Sequence, residues 1–174
     1  MPIVSLRYRF RQPFRVSARA AYAWCTDFRA ADARLFGDRR VRSVARISDD
    51  ALVLTETTYP GGKRTRIRRL VRLLPERLAW TNTHLSGPYR DSQFWYRIVP
   101  DGPSRSHLEF DGLKLERVRR PAGAVEVARR AGAERRHDAA SWRSRLAPAL
   151  HAELTGVRGP TVRRRARARR ARAA

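Results

Sequence analysis

The sequence predicts an α+β domain: a curved antiparallel sheet of six to seven strands wrapped around a long C-terminal helix, with two short helices after the first strand. Three observations carry this reading. Segments of period-two alternation, broken by Pro, Gly, Asp and Ser, fill most of residues 40–115. An alanine-rich helical segment follows one isolated strand near the start. A last segment with helical spacing runs from Pro121 to Leu154.

Residues 4–16 alternate Leu6, Tyr8 and Phe10 with Arg7, Arg9 and Arg11, the pattern of a strand with one buried and one wet face. Pro13 should bend it or place it at an edge. Ser17 is a candidate N-cap for a helix that buries Trp24 and Phe28, and a second short helix is expected over Ala31–Leu35. Strands are then expected over 41–47, 52–59, 65–74, 78–85, 89–99 and 106–115. The turns between them contain Ser48-Asp49-Asp50, Pro60-Gly61-Gly62, Pro75-Glu76, Ser86-Gly87-Pro88 and Pro100-Asp101-Gly102-Pro103. Short turns between consecutive strands make an antiparallel meander. Pro121 suits a first helical turn, and a helix is expected over about 121–146 with a kink or break near Pro148. At ~1.5 Å per residue such a helix spans nearly 40 Å, enough to cover the sheet.

The chain has 174 residues, 42% hydrophobic and 32% charged, which suits one domain over 1–156 and an arginine-rich tail over 157–174. That tail lacks an apolar face, so it is expected to be disordered. The single cysteine, Cys25, excludes an internal disulfide and a CxxC site. No segment suits a signal peptide or a membrane span, and a cytoplasmic protein is expected. The net charge of +23 rests almost wholly on arginine, since only Lys63 and Lys114 are lysine. A polyanion partner would suit that charge. The arginines are spread over the whole chain, which favours a compositional origin in a GC-rich genome.

This order of elements resembles the START-like, or helix-grip, superfamily, which includes polyketide cyclase/dehydrase and lipid-transfer proteins. The local carriers are Phe14-Arg15-Val16-Ser17-Ala18, the segment Tyr22–Phe28 with Asp32 after it, and Leu54-Thr55-Glu56-Thr57. They are similar to a prokaryotic branch in which this passage leads from the first strand into the first helix. The resemblance covers residues 3–155. It implies a cavity between sheet and helix and a small hydrophobic or aromatic ligand, but no particular reaction.

Strand parity supplies the candidate lining: Tyr8 and Phe10, Leu54 and Glu56, Arg69, Trp80, Phe94 and Tyr96, and Phe110. Asn82 and His84 share the face of Trp80. The last helix adds Arg135, Trp142 and Leu146. Taken singly, each apolar member is explained by core packing. Glu56, Arg69 and Arg135 stand out as charges among apolar neighbours. They read either as a polar anchor for a carboxylate, phosphate or hydroxyl, or as a structural ion pair. Cys25 has no histidine linked to it by a local signature and is read as core, with Thr26 and Asp27 capping the next helix. His84, Asp91, His107, Glu109 and Asp111 fit no closed metal site, so no metal or other cofactor is expected. Three functions stay open: a ligand-binding or transport module, an enzyme of the cyclase/dehydrase type, and a basic accessory protein. In the last, residues 158–174 would contact nucleic acid or anionic membrane without specificity. The oligomeric state is not readable.

Overall fold

The opening alternation becomes β1, Ile3–Phe14, with Leu6, Tyr8 and Phe14 buried and the intervening arginines exposed. The computed structural model describes residues 1–36, 40–59 and 62–156. Ser17 caps α1, Ala18–Thr26: its Oγ accepts from the Ala20 N–H at 3.3 Å. Thr26 and Asp27 finish this helix instead of starting the next. Thr26 Oγ1 donates to the Tyr22 carbonyl at 2.7 Å, and Asp27 is the C-cap. A 3₁₀ turn over Ala30–Phe36 follows.

Six further strands are β2 (Val41–Ser48), β3 (Ala51–Thr58), β4 (Thr65–Leu74), β5 (Ala79–His84), β6 (Gln93–Gly102) and β7 (Arg105–Arg117). All neighbours are antiparallel, in the order β1-β7-β6-β5-β4-β3-β2. The meander therefore closes on β1, which pairs along its length with β7. Pro13 is tolerated because β1 is an edge strand. β6 starts at Gln93, later than the sequence pattern suggests. Tyr89–Asp91 form a turn instead, with Asp91 at φ 70°, a conformation that aspartate accepts more readily than most residues.

The final helix is α2 (Ala124–Ser141), a π-helical turn (Trp142–Leu146) and α3 (Ala147–Thr155). At the expected kink or break near Pro148, the α-helix is interrupted by the π-helical turn and then resumes. In the widened turn the Ala147 N–H donates to the Trp142 carbonyl, five residues back. One residue later comes Pro148, which has no N–H to offer, and the chain then continues as helix. Gly156, at φ 67°, ends it in the left-handed conformation that glycine adopts freely.

The two parts of this helix do different work. Ala147 and Leu150 of α3 are buried in one core cluster with Leu52, Val71, Ile98 and Leu108 of the sheet. Burying a leucine of this kind stabilises by about 1.5–3 kcal/mol. No residue of α2 is buried. α2 is tied to the sheet by polar struts, Tyr8 to Asp138 and Lys114 to Glu134, and a hollow lies beneath it. No described helix is long and apolar enough to cross a membrane. The arginine-rich tail lies outside the described residues.

Candidate functional site

The hollow is a cavity of about 590 Å³ between the concave face of the sheet, the 3₁₀ turn and α2. The register of the sheet lays its lining out in rows. Trp80 of β5 stands opposite Tyr96 of β6, Tyr96 opposite Phe110 of β7, and Phe110 opposite Phe10 of β1. Their rings touch in sequence. Trp80 and Tyr96 stack at 4.8 Å and 1°, Tyr96 meets Phe110 edge-on at 5.1 Å, and Phe10 stacks on Phe110 at 4.6 Å. Such pairs stabilise beyond their buried area and hold the wall stiff. In the next row Asn82, Phe94, Gly112 and Tyr8 stand opposite one another. Gly112 is required there: a Cβ on it would lie 2.7 Å from the Phe110 ring and 3.1 Å from that of Phe94.

Toward β3 and β4 the rows turn polar. Leu54, Arg69 and His84 form one row, and Arg42, Glu56 and Ile67 the next. Glu56 is 3% exposed, and three arginines converge on it. Arg42 reaches Oε1 at 2.7 Å, Arg69 reaches Oε2 at 2.5 Å, and Arg40 stands 3.6 Å from Oε2. Burial pushes the Glu56 carboxyl up, but the three guanidinium charges outweigh it and hold it below the usual range, so it is ionised. Burial, with Arg69 beside it, pushes His84 down to about 4, so its ring is neutral at pH 7. Three buried polar atoms in this region have no hydrogen-bond partner among the described residues: Arg69 Nε, Asn82 Oδ1 and His84 Nδ1. All three residues line the cavity.

The opposite end has its own polar pair. Tyr8 Oη donates to Asp138 Oδ2 at 2.7 Å. Burial raises the pKa of both, and the Asp138 charge raises that of Tyr8 further. Lys114 lies over the Tyr89 ring at 3.8 Å and meets Glu134 at 2.8 Å and Glu116 at 3.3 Å. Cys25 lines the cavity, where burial pushes its thiol well up and keeps it protonated. Among the described residues no group of His, Cys, Asp or Glu side chains could hold a metal.

Of the residues expected to face the ligand, the structure places Tyr8, Leu54, Glu56, Arg69, Trp80, Phe94, Tyr96, Phe110, Trp142 and Leu146 around the cavity. Two are corrected. Phe10 lies outside the lining because the Phe110 ring opposite stacks on it at 4.6 Å, whereas Tyr8, on the same strand, stands opposite Gly112 and reaches the cavity. Arg135 is exposed, because α2 turns Glu134, Asp138 and Ser141 toward the hollow instead. Arg40, Arg42, Lys114, Glu134 and Asp138 were not in the expected set. Lys114 was within reach, since it shares parity with Leu108 and Phe110 on β7.

No family model matches the sequence, and no curated protein matches it. Solved structures do. The Zhui aromatase/cyclase of Streptomyces sp. R1128 superposes with a TM-score of 0.70 at 11% identity, over 86% of this chain and 96% of that one. A START superfamily protein of Mycobacterium smegmatis gives 0.62 at 20% identity, over 83% and 97%. The fold is the START-like helix grip. Norcoclaurine synthase of Thalictrum flavum, in complex with dopamine and hydroxybenzaldehyde, gives 0.54 at 13% identity, over 80% and 86%. At these identities the likeness concerns the START-like fold, and the chemistry of this cavity rests on its own residues.

Proposed function

We infer that the protein binds or transports a small hydrophobic, aromatic molecule held between the sheet and α2. The observation that carries this is the row of touching rings, Trp80, Tyr96 and Phe110, with Trp142 tilted against Tyr96 at 6.5 Å, all lining a cavity of about 590 Å³. That volume lies within the range of small-molecule sites, which are largely apolar with a few convergent polar groups. A structural neighbour crystallised with two aromatic compounds supports the reading. Native mass spectrometry of protein purified from its own host tests it. A co-purified small molecule that is lost on denaturation is the expected result, and bare protein that also binds no aromatic probe would remove the reading.

A cyclase or dehydrase acting in the same cavity is favoured by one observation, the Asp138 carboxyl, which burial raises toward the range of a proton-transfer group and which Tyr8 Oη holds in place at 2.7 Å. Asp138→Asn should then abolish turnover of a poly-ketone substrate while leaving binding intact. The accessory role for the arginine excess has less support. On the outer face of the sheet Arg9 pairs with Asp111, and Arg11 and Arg97 with Glu109, so part of the charge is balanced locally.

A further inference from the structure

The geometry points to an organic acid as the ligand of this cavity, its carboxylate held at the β4–β5 end by Arg40 and Arg69 and its apolar body lying along the aromatic row. The inference rests on the carrier reading and adds the chemical class of the cargo.

Charge balance is the first argument. Arg40, Arg42 and Arg69 face one buried carboxylate, Glu56. The next acid, Asp32, stands 3.9 Å from Arg42 and also faces Arg29 at 3.6 Å. Three cations thus share one close counter-ion and part of a second, in a site walled by rings. A half-buried cation without a full counter-ion is costly, and a ligand carboxylate would supply one. The guanidinium groups are reachable, since the Arg40 side chain is 31% exposed and that of Arg69 18%. Glu56, at 4%, is held behind them. It fixes the two arginines in place without cancelling both charges.

Hydrogen-bond balance is the second, independent argument. Arg69 Nε, Asn82 Oδ1 and His84 Nδ1 are buried and unpartnered among the described residues. They belong to adjacent strands, with Arg69 directly opposite His84 and Asn82 two residues from it. Buried polar atoms are nearly always satisfied in folded proteins. Arg69 Nε is a donor that a carboxylate satisfies, and so is His84 Nδ1 when it carries the ring proton, whereas Asn82 Oδ1 accepts and needs a donor; two of the three orphans at this end therefore suit an acidic head group. At the other end Lys114 is shared by Glu134 and Glu116 and Asp138 adds a further carboxyl, an excess of acid that disfavours an anion there and orients the ligand.

Isothermal titration of the full chain at pH 7 with 2-naphthoate, its methyl ester and naphthalene tests this. The acid should bind about tenfold or more tightly than the ester, as expected for a charge-assisted hydrogen bond. Arg40→Gln should erase that preference. Arg66→Gln removes the same charge from an exposed site and should leave the preference in place. Equal binding of acid and ester would overturn the anion site and leave the carrier reading standing. A preference that survives Arg40→Gln, or one that Arg66→Gln also erases, would place the attraction elsewhere on this basic protein and overturn the inference. If none of the three compounds binds, naphthalene included, the carrier reading fails and this inference with it. The comparison of acid with ester on the unaltered chain decides the matter even if Arg40→Gln does not fold.

Discussion

At the scale of single residues the site depends on Glu56. Its carboxylate is the close counter-ion of Arg42 and Arg69, and the Arg42 side chain is only 8% exposed. Glu56→Gln leaves the Arg42 and Arg69 guanidinium groups, 8% and 18% exposed, without their close counter-ion and should cost about 3 kcal/mol or more, read from the urea midpoint at constant slope. His84 gives a second prediction. Its folded pKa, about 4, lies below the ordinary value of 6.5. Between those values the unfolded chain binds the proton and the folded chain does not. Stability from this group is therefore complete above pH 6.5 and is lost as pH falls toward 4. An NMR titration should show the His84 ring midpoint near 4, and a midpoint near 6.5 would mean that the ring is open to water. Parity made these inward residues legible, because a period of two holds in any strand that buries one face. It could not reveal which of them pair: Glu56, Arg42 and Arg69 meet across three strands.

At the scale of elements, Gly112 shows how tightly the aromatic wall is fitted. Gly112→Ala must displace the Phe110 ring, which would lie 2.7 Å from the new Cβ. It should destabilise by about 1–3 kcal/mol and change the near-ultraviolet circular dichroism of the aromatic row. The order of strands and helices was readable, since turn residues and alternation punctuate the meander. The inward face of α2 was not. An apolar stripe is the usual signal for the buried side of a helix, and it selected Arg135. The face that meets the cavity carries Glu134, Asp138 and Ser141, so hydropathy points the wrong way there. The π-helical turn was also hidden. Pro148 signalled trouble, but whether a helix breaks or widens depends on how well its far side is anchored, here by Leu150 in the core.

At the scale of the whole molecule, the sheet and the last helix are joined firmly at one end and loosely along the rest. α3 shares the core cluster, whereas α2 is held by Tyr8–Asp138 and Lys114–Glu134 over a hollow. Elements that bury little apolar surface open at low free energy. Amide hydrogen exchange should therefore be faster in α2 than in α3, and a bound ligand should slow α2 selectively. Uniform protection along 124–155 would show that α2 does not move independently.

The central claim is that this hollow accepts an apolar molecule. Titration with N-phenyl-1-naphthylamine, a neutral fluorescent probe, measures it most directly, with Leu146→Trp as the blocked form, since Leu146 lines the cavity. The account predicts saturable one-to-one binding to the unaltered chain and at least about tenfold weaker binding once the indole fills the space. Equal binding by both forms, or no saturable binding to the unaltered chain, would contradict it.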